Sequence, residues 1–171
     1  MDSTLSKLSG GDMRSIGRAD EVVCDVIDNP ALFGEVFLGM KHPDPLIRMR
    51  SADVIEKVSR LHPEYLRPHW HSLVGDIARI PQKEVCWYVA QMLPRLELED
   101  EELDEVIDML FSWAQRDSSR IVQVNAMTAL AEMAADDTGL RGRVVGVLRE
   151  LVRSGSPAVR SRGKKLLREL E

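Results

Sequence analysis

Ile47–Val58 reads IRMRSADVIEKV, and three later stretches repeat its pattern: VCWYVAQMLPRL at Val85–Leu96, VQVNAMTALAEM at Val122–Met133 and VRSRGKKLLREL at Val159–Leu170. Their starts lie 38, 37 and 37 residues apart. Numbered from one to twelve, the first position holds Ile47, Val85, Val122 and Val159. The ninth holds Ile55, Leu93, Leu130 and Leu167, and the twelfth Val58, Leu96, Met133 and Leu170. The fifth is small or short: Ser51, Val89, Ala126 and Gly163. At about 100° per residue, positions one, five, eight, nine and twelve share one side of a helix. Each stretch therefore reads as an amphipathic helix with a core stripe and a polar side. Ser51, Ala126 and Gly163 leave room for helix backbones to approach closely.

A second helix is expected ahead of each. Ala31–Met40, Glu64–Ile80, Glu101–Arg116 and Gly139–Val152 carry apolar residues at intervals of three and four. Leu66, Trp70, Leu73 and Ile77 are one such set; Leu103, Val106, Ile107, Leu110 and Ala114 are another. Pro30, Pro43, Pro45, Pro63, Pro81 and Pro157 fall at expected starts or turns, where a missing N–H is tolerated. Asp44, Asp117, Thr138 and Ser156 are the candidate N-caps. Pro68 and Pro94 fall inside expected helices, so the second pair should be the least regular. A further helix near Ala19–Ile27 opens the array as a cap. The expected division is a flexible N-terminus over 1–12 and a single repeat domain over 13–171, with repeats at about 30–60, 63–96, 100–134 and 138–170.

The composition agrees with helix-on-helix packing: 44% of residues are apolar, only 5% are aromatic, and Leu, Val, Ile, Ala and Met dominate. No apolar run approaches the roughly 20 residues that span a bilayer. Met1–Asp12 lacks the basic start and apolar stretch of a secretory signal. A cytoplasmic protein without membrane contact is expected. Cys24 and Cys86 belong to no metal-binding spacing and read as reduced helix residues. The net charge of −5 is unevenly spread. Glu97–Thr138 holds 12 acidic and 2 basic residues, whereas Gly139–Glu171 holds 9 basic and 3 acidic. The bland reading is that each block is a solvated helix face.

The pattern apolar-Arg-x-x-small-x-x-apolar-Leu over about residues 30–171 resembles the HEAT repeat and its armadillo-like relatives. Asp44 with Arg48, and Ser156 with Arg160, fit the cap and arginine slots best; Cys86 and Gln123 stand where the other two arginines would be. The resemblance implies an all-α, right-handed α-α superhelix (solenoid) of about four helical pairs plus the N-terminal capping helix. It also implies that the second helices line a concave side on which partners bind.

Positions three, seven and ten lie opposite the core stripe. They place Met49, Trp87 and Val124 in one row and Asp53, Gln91, Thr128 and Lys165 in the next; Glu56 and Arg168 stand in the third. A face without a task would be polar throughout. The expected partner-binding surface is therefore Met49, Asp53, Trp87, Gln91, Val124, Thr128, Lys165 and Arg168, accepting an apolar or amphipathic segment of a protein. The competing reading has Trp87 half-buried between neighbouring helices, with Met49 and Val124 as scattered surface apolars.

Chemistry is sparse. Gly10–Gly11 has no preceding strand and no GK[ST], and neither GxSxG, HExxH nor an EF-hand pattern occurs. His69 and His71, two apart on a helix, diverge by about 200° and cannot share a metal. No catalytic residue, metal or cofactor is expected. The alternative function is nucleic-acid binding through the basic C-terminal helices, in the manner of HEAT-like DNA alkylation-repair glycosylases, with Trp87 and Asp53 as a loose aromatic–acid pair. A monomer or weak homodimer is expected.

Overall fold

The computed structural model describes residues 3–171, which are all-helical and contain no strand. The helices are α1 (Ala19–Asp28), α2 (Phe33–Gly39), α3 (Pro45–Leu61), α4 (Trp70–Ser72), α5 (Lys83–Met92), α6 (Asp100–Arg116), α7 (Arg120–Ala134), α8 (Thr138–Ser154) and α9 (Pro157–Leu170). The four repeated stretches lie on α3, α5, α7 and α9. Their first column is buried at Ile47, Val85, Val122 and Val159, and their fifth at Ser51, Val89, Ala126 and Gly163. The twelfth column is buried only at Val58; Leu96, Met133 and Leu170 are half-exposed because the later helices end there.

Local chemistry explains the boundaries. Asp44 accepts from the Leu46 N–H at 2.8 Å, and Pro45 opens α3 with its fixed φ. Ser156 caps α9 in the same way, accepting from Val159 ahead of Pro157. The other two expected caps are corrected. Ser119, not Asp117, caps α7, and Asp137, not Thr138, caps α8. Each is the last extended residue before the helix, so its side chain reaches the third helical amide. Asp117 instead closes α6 and accepts from the Ser119 N–H at 2.7 Å. The two internal prolines break regularity as expected. Around Pro68 the chain winds as a 3-10 turn (Pro63–His69), the single turn α4 and a π turn (Leu73–Ile77). At Pro94, α5 tightens into a 3-10 turn (Leu93–Arg95) and stops. His69, at the end of the 3-10 turn, is half-buried and stacked on Phe37 at 4.3 Å between ring centroids.

The chain divides into two compact units, Met1–Glu97 and Leu98–Glu171. In the first, α3 is central and packs against α1, α2, α5 and the 3-10 turns Thr4–Leu8 and Pro63–His69. Residues 3–12, part of the segment expected to be flexible, lie against it. Leu8 is fully buried, and Lys7 pairs with Asp25 at 2.6 Å and Glu21 at 2.8 Å. The buried Arg50 side chain donates to the carbonyls of Leu8, Ser9, Gly10, Asp12 and Ser15. Gly10, Gly11 and Gly17 hold positive φ, which lets the segment curl around the guanidinium.

In the second unit, α7 packs against α6, α8 and α9, and α8 against α9. Gly163 sets the closest crossing. A Cβ there would lie 2.7 Å from Val152 Cγ2 and 3.4 Å from Met127 Cε.

Candidate binding surfaces

The first unit carries Met49, Asp53, Trp87 and Gln91. Met49 is 6% exposed and Asp53 4%, so neither is the open surface residue that the helical wheel expects. The wheel treats α3 as covered on one side, but α1 and the N-terminal segment cover the other. Twelve of the 17 residues of α3 are buried as a result. Trp87 and Gln91 on α5 are half-exposed.

The polar side of α3 is an internal ion network. Asp53 pairs with Lys57 at 2.8 Å, and Lys57 reaches Asp20 of α1 at 2.7 Å. Burial pushes the Tyr88 phenol up to about 12, and the charge of Asp53, with which it shares a hydrogen bond, pushes the same way. Glu56 is 1% exposed and held by Arg60 at 2.7 Å and Arg95 at 2.6 Å. Burial alone would raise the Glu56 carboxyl, but the hydrogen bonds from the two arginines outweigh it and hold it below its usual value. Arg95 also donates to the Glu56 carbonyl and to Ser59 Oγ, tying the turn after α5 to α3. These groups satisfy one another, so the network fixes α1, α3 and α5 together.

The second unit carries Val124, Thr128, Lys165 and Arg168, and here the expected residues do come together. They line a groove between α7 and α9 with two adjoining hollows, of about 400 and about 430 Å³. Val124, Ala131 and Leu166 give it apolar walls, and Thr128 turns its hydroxyl back to the Val124 carbonyl at 2.9 Å. Arg162 borders both hollows and is half-buried. Sequence reading missed it because position four of the repeat falls between the core stripe and the outer face. Among the described residues, Arg162 and Arg168 have no ion pair, and the only one at Lys165 is with Glu169 at 3.9 Å. The cations Arg141, Arg162, Lys165 and Arg168 thus border the groove together with two carboxylates, Glu132 and Glu169.

On α6 and α8 a third hollow of about 460 Å³ is bordered by Phe111, Arg143, Gly142 and Gly146. The Arg143 guanidinium covers the Phe111 ring at 4.9 Å. Among the described residues, no group of three or more His, Cys, Asp or Glu is placed to hold a metal ion. Nor is any helix there long and apolar enough to cross a membrane. Cys24 is exposed, Cys86 is buried, and neither is in a disulfide. No protein-family model matches the chain, and no curated protein or solved structure matches it.

Proposed function

We propose that this chain is a non-catalytic, cytoplasmic protein-interaction module built as a HEAT-like solenoid, with a partner's acidic, amphipathic segment lying in the groove between α7 and α9. The observation that carries the reading is the placement of Arg162, Lys165 and Arg168 around apolar walls, where among the described residues the one ion pair these three make is Lys165–Glu169 at 3.9 Å. Such a groove suits a segment with carboxylates along one edge and apolar side chains on another. In the first unit, Trp87 and Gln91 are the half-exposed members of the expected face. The solenoid reading draws support from one rung between successive pairs. Arg48 Nε donates to Gln82 Oε1 at 2.7 Å just before α5, and Gln82 Nε2 donates to the Pro45 carbonyl at 2.9 Å. Gln82 stands where Asp44 stands one repeat earlier, directly ahead of its helix.

The second reading is nucleic-acid binding, favoured by the further cations Arg160 and Lys164 on the same helix. A lysate pull-down with the full chain, compared with an R162E/K165E variant, separates the two. Retention of a protein by the wild type, and its loss with the variant, is expected. Retention of nucleic acid alone would transfer the groove to the second reading, and protein retention unchanged by the variant would remove the groove from either.

A further inference from the structure

The charges of α6 and α9 share one geometry with opposite sign. On α6, Asp100, Asp104 and Asp108 recur every four residues, flanked by Glu101 and Glu105; all five are exposed. On α9, Arg160, Lys164 and Arg168 recur every four residues, flanked by Lys165, and all four are exposed. Each stripe spans two turns, about 12 Å at the helical rise. Among the described residues, Asp100, Glu101, Asp104 and Glu105 meet no cation, and Arg160, Lys164 and Arg168 meet no carboxylate. Asp108 has only Arg143, at 3.7 Å.

Like charges four apart on a helix each cost a few tenths of a kcal/mol. Inside the unit that cost is offset only by the Asp108–Arg143 pair at 3.7 Å and the Lys165–Glu169 pair at 3.9 Å. Helix α7 packs against both α6 and α9, so the two stripes belong to helices with a third between them. A chain with an acidic stripe on one helix and a matching basic stripe on another can satisfy both by repeating itself.

We propose that the exposed basic stripe of α9 pairs with the acidic stripe of α6 in a second copy of this chain, so that copies associate head to tail. This rests on the reading of α9 as a protein-binding helix. Three carboxylates then face three cations at equal spacing. The contact is heterologous, because the surface used on one copy differs from that used on the next. One acidic and one basic stripe remain free at the ends of every open assembly, so growth depends on concentration. Screening weakens it, since the Debye length falls from tens of ångströms in dilute salt to a few in concentrated salt.

Sedimentation velocity of the full chain at about 20 mM and about 500 mM NaCl tests this. A mass above the 19.3 kDa monomer in low salt, returning to the monomer in high salt, is expected. Two charge reversals, R160E/K164E and D104K/E105K, should each weaken association by about tenfold or more. An equimolar mixture of the two should associate again, because the reversed stripes complement each other. A wild type that stays monomeric in low salt overturns the proposal, as does a mixture no more associated than either variant alone. If the chain is monomeric but its lysate partner is still lost with R162E/K165E, self-association fails and the binding groove stands. If that partner is indifferent to the charges as well, both readings fail.

Discussion

Arg50 donates from Nη1 to the carbonyl oxygen of Gly10 at 2.7 Å, across a separation of 40 residues. Four further carbonyls share the same guanidinium. This one side chain satisfies backbone oxygens that would otherwise be left without donors as the N-terminal segment crosses α3. Arg50→Met keeps bulk but removes every donor, and should lower the unfolding free energy by roughly 2–3 kcal/mol. Tryptic cleavage after Arg14 should accelerate by about tenfold as the segment opens locally. An unchanged cleavage rate would show that the segment is held by something else.

Glycines on the C-terminal helices should respond in opposite senses. Gly163→Ala drives a methyl to 2.7 Å from Val152 Cγ2 and should cost about 1–3 kcal/mol. Gly142 and Gly146 on α8 meet nothing within 4 Å, so Ala at either should stabilise by up to about 1 kcal/mol through helix propensity. Thermal unfolding of the three single variants measures both directions. A stabilised G163A would contradict the close crossing of α8 and α9.

Met49 separates a buried residue from a surface anchor. Met49→Ala should lower unfolding free energy by about 2–5 kcal/mol, the range for removing a core methionine. Urea unfolding checks this, and a loss under about 0.5 kcal/mol would return Met49 to the surface.

Tyr88 makes stability depend on alkaline pH. Its phenol titrates near 12 in the folded chain against an ordinary value of 10.0, so between those values the folded state binds more protons than the unfolded one. Stability from this group is complete below pH 10.0 and is lost as pH rises towards 12. The urea midpoint of the wild type should therefore fall further than that of Tyr88→Phe as pH is raised through this window. Equal falls in both would remove Tyr88 as the cause.

Helix positions were legible because they rest on periodicity: Val85, Val122 and Val159 occupy their buried column, and Pro68 and Pro94 mark the irregular pair. The caps at Ser119 and Asp137 were two and one residues away from the expected Asp117 and Thr138, because several side-chain oxygens compete within each short turn. The first unit's face was misread for a different reason. A helical wheel states which side of α3 meets the neighbouring pair, but not that a segment some 40 residues earlier covers the opposite side. The legible signs of that cover were Gly10, Gly11 and Gly17, together with an arginine on the wheel's apolar half. On α7 and α9 no such segment intervenes, and Val124, Thr128, Lys165 and Arg168 border two adjoining hollows.

The cover of α3 also imposes an order in time. Translation proceeds from the N-terminus, at about 5–20 residues per second. Gly17 therefore leaves the ribosome roughly 2–7 s before the arginine that organises it. During that interval Leu8 lacks α3, one of the helices it packs against, and the glycine-rich stretch samples its full range of backbone angles. The stretch from Leu8 to Gly17 is thus settled only after α1, α2 and the first turns of α3 have been synthesised, and a nascent chain halted before Arg50 would expose it to any protease or chaperone at the exit.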